Sequence, residues 1–223
     1  MCPDKKKKKK KEEPPKTEET QEMPFLFNIN SSADAPKMRV TGIYGDISEE
    51  KCSETLYSLL LFRETMFEMT AITNEETDEI TEVEVINPID FYVSTYGGSA
   101  VEMFALYDVM RQIREECPIH TIGIGKVMSA GVLLLAAGTP GKRQVGVNCR
   151  IMIHGVVSGQ HGYLADIENE FEEAKFTQDL YIKALAGETN MTVKYIKKLL
   201  QRKTNVYLSA KEAVELGIAD III

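Results

Sequence analysis

The sequence predicts an α/β protein built around a largely parallel sheet, and three observations carry that expectation. From Met38 onward, strand-like and helix-like segments alternate, an order that requires crossover connections and hence parallel pairing. One strand-like segment, "PIDFYVST", is closed by Gly97-Gly98 and runs straight into a helical one. Near the C-terminus, Ser209 and Glu212 form a capping box, and Gly217 stops the short helix that they start.

Taken in order, "MRVTGIYG" alternates as a strand. "SEEKCSETLYSLLLFRETM" follows with Cys52, Leu56, Leu59, Leu60 and Met66 at helical spacing. "MTAIT" and "ITEVEVI" alternate as strands do on either side of "NEETDE". Residues 74–84 hold six acids and no base, so this acidic insertion is expected to be a solvated hairpin or a loose loop. After the "PIDFYVST" strand, "SAVEMFALYDVMRQIREE" is helical, "PIHTIGIG" is a strand, and "SAGVLLLAAG" is a buried helix ended by Gly138. "RQVGVNCRIMIH" reads as one strand or two. The remainder is more helical: about Tyr163 to Ala186, Thr192 to Leu200, then "SAKEAVELG" and a last strand, "IADIII".

At 223 residues the chain is long enough for one substantial core. The net charge is −8, yet residues 1–22 carry eight Lys against six acids, which leaves the rest near −10. An acidic folded part disfavours nucleic acid as the main partner. The start, "MCPDKKKKKKKEEPPKTEETQEMP", is almost without apolar residues, so residues 1–24 are expected to be a disordered basic tail and residues 25–223 the folded domain. Cys2, Cys52, Cys117 and Cys149 lie far apart with no CxxC pair and no His at metal-ligand spacing. They suggest neither a zinc site nor a disulfide framework, and point to a reducing compartment. No stretch reaches the roughly 18 apolar residues of a membrane span, and the Lys-rich start lacks the apolar region of a secretory signal. A cytoplasmic location is expected, or its equivalent in a plastid stroma or an infected host cell.

Inside the apolar run "GKVMSAGVLLLAAGT" stands one hydroxyl, Ser129. A serine becomes a nucleophile when a base takes its proton and donors receive the charge that develops on the attacked carbonyl. The chain offers three histidines. His120 lies within a strand and suits a core or edge role, while His161 sits in the Gly-rich "SGQHG". His154 ends the apolar strand "RIMIH", where α/β sheets place their sites. Gly97-Gly98 and the N–H of Ala130 at a helix start are plausible donors. Each feature alone has a plainer reading: a helix cap, a turn, a structural histidine. Val127 two residues before Ser129 also sets this apart from the nucleophile elbow of α/β-hydrolases.

"YGGSAVEMFALYDVMRQI", "TIGIGKVMSAGVLLLAAGTPGKR", "RIMIHGVVSGQHGYLADIE" and "YLSAKEAVELGIAD" resemble, in order and spacing, the proteolytic subunit of the ATP-dependent Clp protease, the ClpP family. The likeness covers roughly residues 38–223, without the acidic insertion. It implies a fold of repeated β-β-α units, shared with crotonases, and a protruding "handle" helix. By position Ser129 matches the family's nucleophile, His154 its general base, and Gly98 and Ala130 its oxyanion donors. The stretch Val156, Val157, Ser158 and Gly159 matches the strand that pairs with an extended polypeptide substrate. The family uses no metal or organic cofactor. It assembles as two stacked heptameric rings fed by an AAA+ unfoldase, and mixed rings with other ClpP-like subunits are the alternative assembly.

At the third triad position, where the family shows Asp, this chain has Asn205. A neutral amide orients the imidazole but supplies no charge; in trypsin-like triads the same change lowers kcat by about ten-thousand-fold. Weak or conditional activity is therefore expected. About two extra residues between Ile196 and Tyr207 could also bring Gln201 to that place. Tyr96 stands where Pro commonly precedes the Gly-Gly, and Lys126, Val127 and Met128 are expected to crowd Ser129. An alternative is an interaction subunit with little catalysis, assembling with an active partner. A third reading, acyl-CoA chemistry of the crotonase kind, leaves Ser129 and His154 without roles.

Overall fold

The computed structural model describes residues 38–73, 80–159, 161–201 and 204–223. The tail expected over 1–24 and the acidic turn 74–79 lie outside the described residues. Strand β1 (Val40–Ile47) leads into helix α1 (Glu49–Glu64), which turns Cys52, Thr55 and Leu59 inward. The chain then runs out and back as β2 (Phe67–Thr73) and β3 (Ile80–Ile86), paired antiparallel from Phe67↔Ile86 to Thr73↔Ile80. This antiparallel pair takes in residues 80–84 of the expected insertion, and the rest of the insertion lies outside the described residues. The pair forms its own two-stranded sheet, with Phe67, Met69 and Ile80 exposed.

In the main sheet β4 (Ile89–Gly98) lies parallel to β1 on one side and to β5 (Ile119–Met128) on the other. Between β4 and β5 runs α2 (Ala100–Ile113), which buries Met103, Leu106, Tyr107, Met110 and Ile113, a stripe at steps of three and four. Its N-cap is Ser99, whose side chain accepts the Glu102 N–H. After β5 comes Ser129 alone, and then α3 (Ala130–Ala136), in which every residue is buried. A helix apolar on all sides has no other stable place.

"RQVGVNCRIMIH" forms two strands, β6 (Gln144–Val145) and β7 (Arg150–Ile153). β5 serves both: Ile122 and Gly123 pair with β6, and Lys126 to Met128 pair with β7. Between these halves the strand bends at Gly125, where φ is 63°. The rest comprises α4 (Leu164–Glu188), α5 (Val193–Leu200), β8 (Val206–Leu208), α6 (Ala210–Glu215) and β9 (Ile221–Ile222). β8 pairs antiparallel with β7, and its three residues are too few to show alternation in a sequence. The capping box of α6 is present, with Glu212 Oε2 accepting the Ser209 N–H at 2.8 Å.

α4 is the protruding handle: over its 25 residues only Tyr181, Ile182 and Leu185 are buried. Its C-terminal end is tied down by Glu188, whose carboxylate accepts from Arg114 at 2.7 Å and from the Tyr107 hydroxyl at 2.9 Å. Cys52, Cys117 and Cys149 are free thiols in the interior, and burial pushes those of Cys52 and Cys149 up to about 11.

Candidate active site

The register of β5 and β7 sets Met128 opposite Met152, so Ser129 and His154 leave the sheet at the same edge. The Ser129 N–H donates to the Met152 carbonyl at 2.8 Å and extends the pairing by one bond. His154 follows the last residue of β7, and its Nε2 lies 2.8 Å from Ser129 Oγ. With Nε2 unprotonated, the serine hydroxyl donates to it.

Ser129 occupies the N-cap position of α3, but its hydroxyl caps no backbone N–H. The plainer reading of this residue as a helix cap is therefore excluded. Its φ of 55° is the one positive value among the described non-glycine residues, a conformation that costs roughly 1–3 kcal/mol and needs support from its surroundings. Two hydrogen bonds from outside the turn supply it: Ser129 N–H to Met152, and the Tyr181 hydroxyl to the Ser129 carbonyl at 3.3 Å. Gly97 packs against the other side, where a Cβ would come within 2.6 Å of Ser129 Cβ.

A cavity of about 390 Å³ opens beside the pair, lined by Gly98, Ala130, Val156 and Val157 as well as Ser129 and His154. Ser158 and Gly159 continue from it in an exposed segment without regular structure. Residues 156–159, expected as a substrate-pairing strand, have no strand partner among the described residues. Tyr96 also borders this cavity, and Lys126 Nζ sits 4.5 Å from its ring centre and 5.4 Å from that of Tyr44. Lys126, Val127 and Met128 do not crowd Ser129 as expected: none of them lines the cavity, and Val127 is buried in the core. Strand alternation sends Lys126 and Val127 to opposite faces.

Asn205 stands differently from the other expected residues. It lines a second cavity of about 610 Å³, which His154, Gln178, Asp179 and Gln201 also border. Among the described residues the imidazole hydrogen-bonds to Ser129 alone, so neither Asn205 nor Gln201 is hydrogen-bonded to it. Asp179 is paired with Lys197 at 3.0 Å. Of the other histidines, His120 lies 3.3 Å from Asp90 on the neighbouring strand, and His161 is exposed.

Sequence reasoning missed two residues near the site. Gln178 Oε1 accepts the Val156 N–H at 3.2 Å, and Tyr181 bonds to Ser129 as described. The available signal was their spacing of three on one helix, which puts them on one face.

A hydroxyl in contact with an imidazole, at strand ends and beside backbone amides at a helix start, is the arrangement of a serine hydrolase. Comparison with known proteins gives the family. The Clp protease family model matches residues 48–223, and the chain belongs to that family. It is 31% identical over 172 residues to "ATP-dependent Clp protease proteolytic subunit 1" of Prochlorococcus marinus (strain NATL2A), covering 74% of this chain and 86% of that one. The protein of the same name from Tropheryma whipplei (strain Twist) is 38% identical over 137 residues, 60% of this chain and 64% of that one. Among the described residues, no helix is long and apolar enough to cross a membrane.

Proposed function

We propose that this chain is a serine endopeptidase subunit of the ATP-dependent Clp type. The observation that carries the reading is the 2.8 Å contact between Ser129 Oγ and His154 Nε2, formed where the serine is relieved of any capping role. In this mechanism Ser129 Oγ attacks the peptide carbonyl carbon while His154 Nε2 takes its proton. The N–H groups of Gly98 and Ala130 receive the developing oxyanion. Collapse breaks the C–N bond, and His154 returns the proton to the leaving amine. Water, deprotonated by the same imidazole, then releases the acyl group from Ser129.

Val156, Val157, Ser158 and Gly159 gain their strand pairing from an extended polypeptide laid alongside them. That no strand among the described residues pairs with them supports that role. Asn205 orients the imidazole from across the second cavity, through a contact made once substrate and neighbouring subunits close the site. An AAA+ unfoldase delivers the polypeptides, and the subunit works within stacked heptameric rings or in rings shared with other ClpP-like chains.

A fluorophosphonate probe tests this on the assembled protein. Labelling that disappears in Ser129→Ala and in His154→Ala is expected, and Asn205→Asp should raise the labelling rate by supplying the missing negative charge. Wild-type protein that stays unlabelled, with Asn205→Asp equally silent, rules the peptidase out.

A further inference from the structure

The register of β5 and β7 ends at Met128 and Met152. One further bond, from the Ser129 N–H to the Met152 carbonyl, holds the serine backbone to the sheet, and His154 lies beyond the last paired residue, so the sheet alone does not fix the distance between their side chains. One face of α4 reaches both. Gln178 accepts the N–H of Val156, two residues past His154, at 3.2 Å, and Tyr181 donates to the carbonyl of Ser129 itself at 3.3 Å. Among the described residues, the Gln178 bond is the one side-chain hydrogen bond to the backbone of residues 154–159.

The local sequence accommodates the amide: a Cβ at Gly155 would come within 2.9 Å of Gln178 Oε1. The tyrosine is equally fixed, 6% exposed, with burial pushing its phenol up so that it stays a neutral donor. Ser129 needs such a donor because its turn is held at a positive φ.

We infer that Gln178 and Tyr181 are positioning residues: from one face of α4 they hold the backbone on either side of the Ser129–His154 hydrogen bond and set the spacing of nucleophile and base. The inference rests on the peptidase reading for its effect on catalysis, but not for its effect on structure. Neither side chain touches the reacting atoms; each acts through the main chain of a residue that does, or of its neighbour.

The test uses the full chain with Gln178→Ala, Gln178→Glu, Tyr181→Phe and the double variant Gln178→Ala/Tyr181→Phe. A misplacement of this kind lowers rate by about tenfold to a hundredfold. In a fluorogenic peptide assay kcat should fall by that factor in Gln178→Ala and in Tyr181→Phe, while KM holds. Gln178→Glu keeps an acceptor and should recover the wild-type rate. Because both bonds serve one contact, the double variant should be little worse than the slower single one. Hydrogen exchange over residues 154–158, read on the same proteins, needs no turnover. It should speed up in Gln178→Ala and return to normal in Gln178→Glu, whether or not the chain cleaves peptides. Unchanged exchange in Gln178→Ala overturns the inference, and so does a loss of rate that Gln178→Glu leaves unrepaired, since that would be a packing effect. A chain that exchanges as expected but never labels at Ser129 sinks the peptidase reading and leaves the structural role standing.

Discussion

Two helices reach the same serine and are stabilised in opposite ways. α3 begins directly after Ser129, has seven residues and buries all of them; α4 has 25 and buries three. In isolation α3 is far too short to persist, and the core that surrounds Leu133, Leu134 and Leu135 holds it. α4 is long but carries Phe171 and Phe176, each 59% exposed, among Asp166, Glu168, Glu170, Glu172 and Glu173. Ser129 is therefore anchored by the interior of one chain. The helix that braces the histidine loop is anchored at one end and leaves the other exposed in the single chain.

The severest way to break this contrast is to free the anchored end of α4. Glu188 has a side chain only 6% exposed and is bonded to Arg114. Glu188→Ala leaves that guanidinium without its partner, and such losses cost about 3–5 kcal/mol; urea unfolding should show it. A cost under 1 kcal/mol would mean that α4 has another anchor. Next comes the interior of α3, where Leu134→Ala should cost about 2–5 kcal/mol by leaving a cavity, measured in the same way. On the exposed half of α4, Phe171→Ser should change the unfolding free energy of the single chain by no more than about 0.5 kcal/mol. The same variant should weaken assembly in sedimentation velocity, and unaltered assembly would show that this face is not covered by a neighbour.

Acid gives the smallest effect. Burial works to raise the Asp220 carboxyl, but its hydrogen bonds from Arg143 and from the Gly141 N–H outweigh that and hold it below the usual carboxylate range. A depressed carboxyl lends stability above its unfolded value, about 3.9, and that stability is lost as pH falls through the lower folded value. The fall in Tm below about pH 4 should be shallower in Asp220→Asn than in the parent chain.

The same contrast explains what could be read beforehand. Elements whose side chains alternate or repeat over many residues were legible: the apolar stripe of α2, the wholly apolar α3 and the capping box of Ser209 with Glu212. β8 was not, because three residues carry no period, and its pairing with β7 is a matter of tertiary register. Ser129 and His154 could be singled out by residue type and place in the chain. What remained hidden was distance: that Asn205 lines a cavity with His154 without hydrogen-bonding to it, and that Gln178 and Tyr181 reach the site from the helix read as the handle. Crowding by Lys126 and Val127 was misjudged for a related reason, since proximity along a strand says nothing of which face a side chain takes.

Gly97 and Ser129 touch so closely that a single added carbon at residue 97 would lie 2.6 Å from the serine Cβ. Randomising position 97 by itself should thus return functional clones bearing only glycine. A library that aims to reshape this corner must therefore keep both residues and vary those around them.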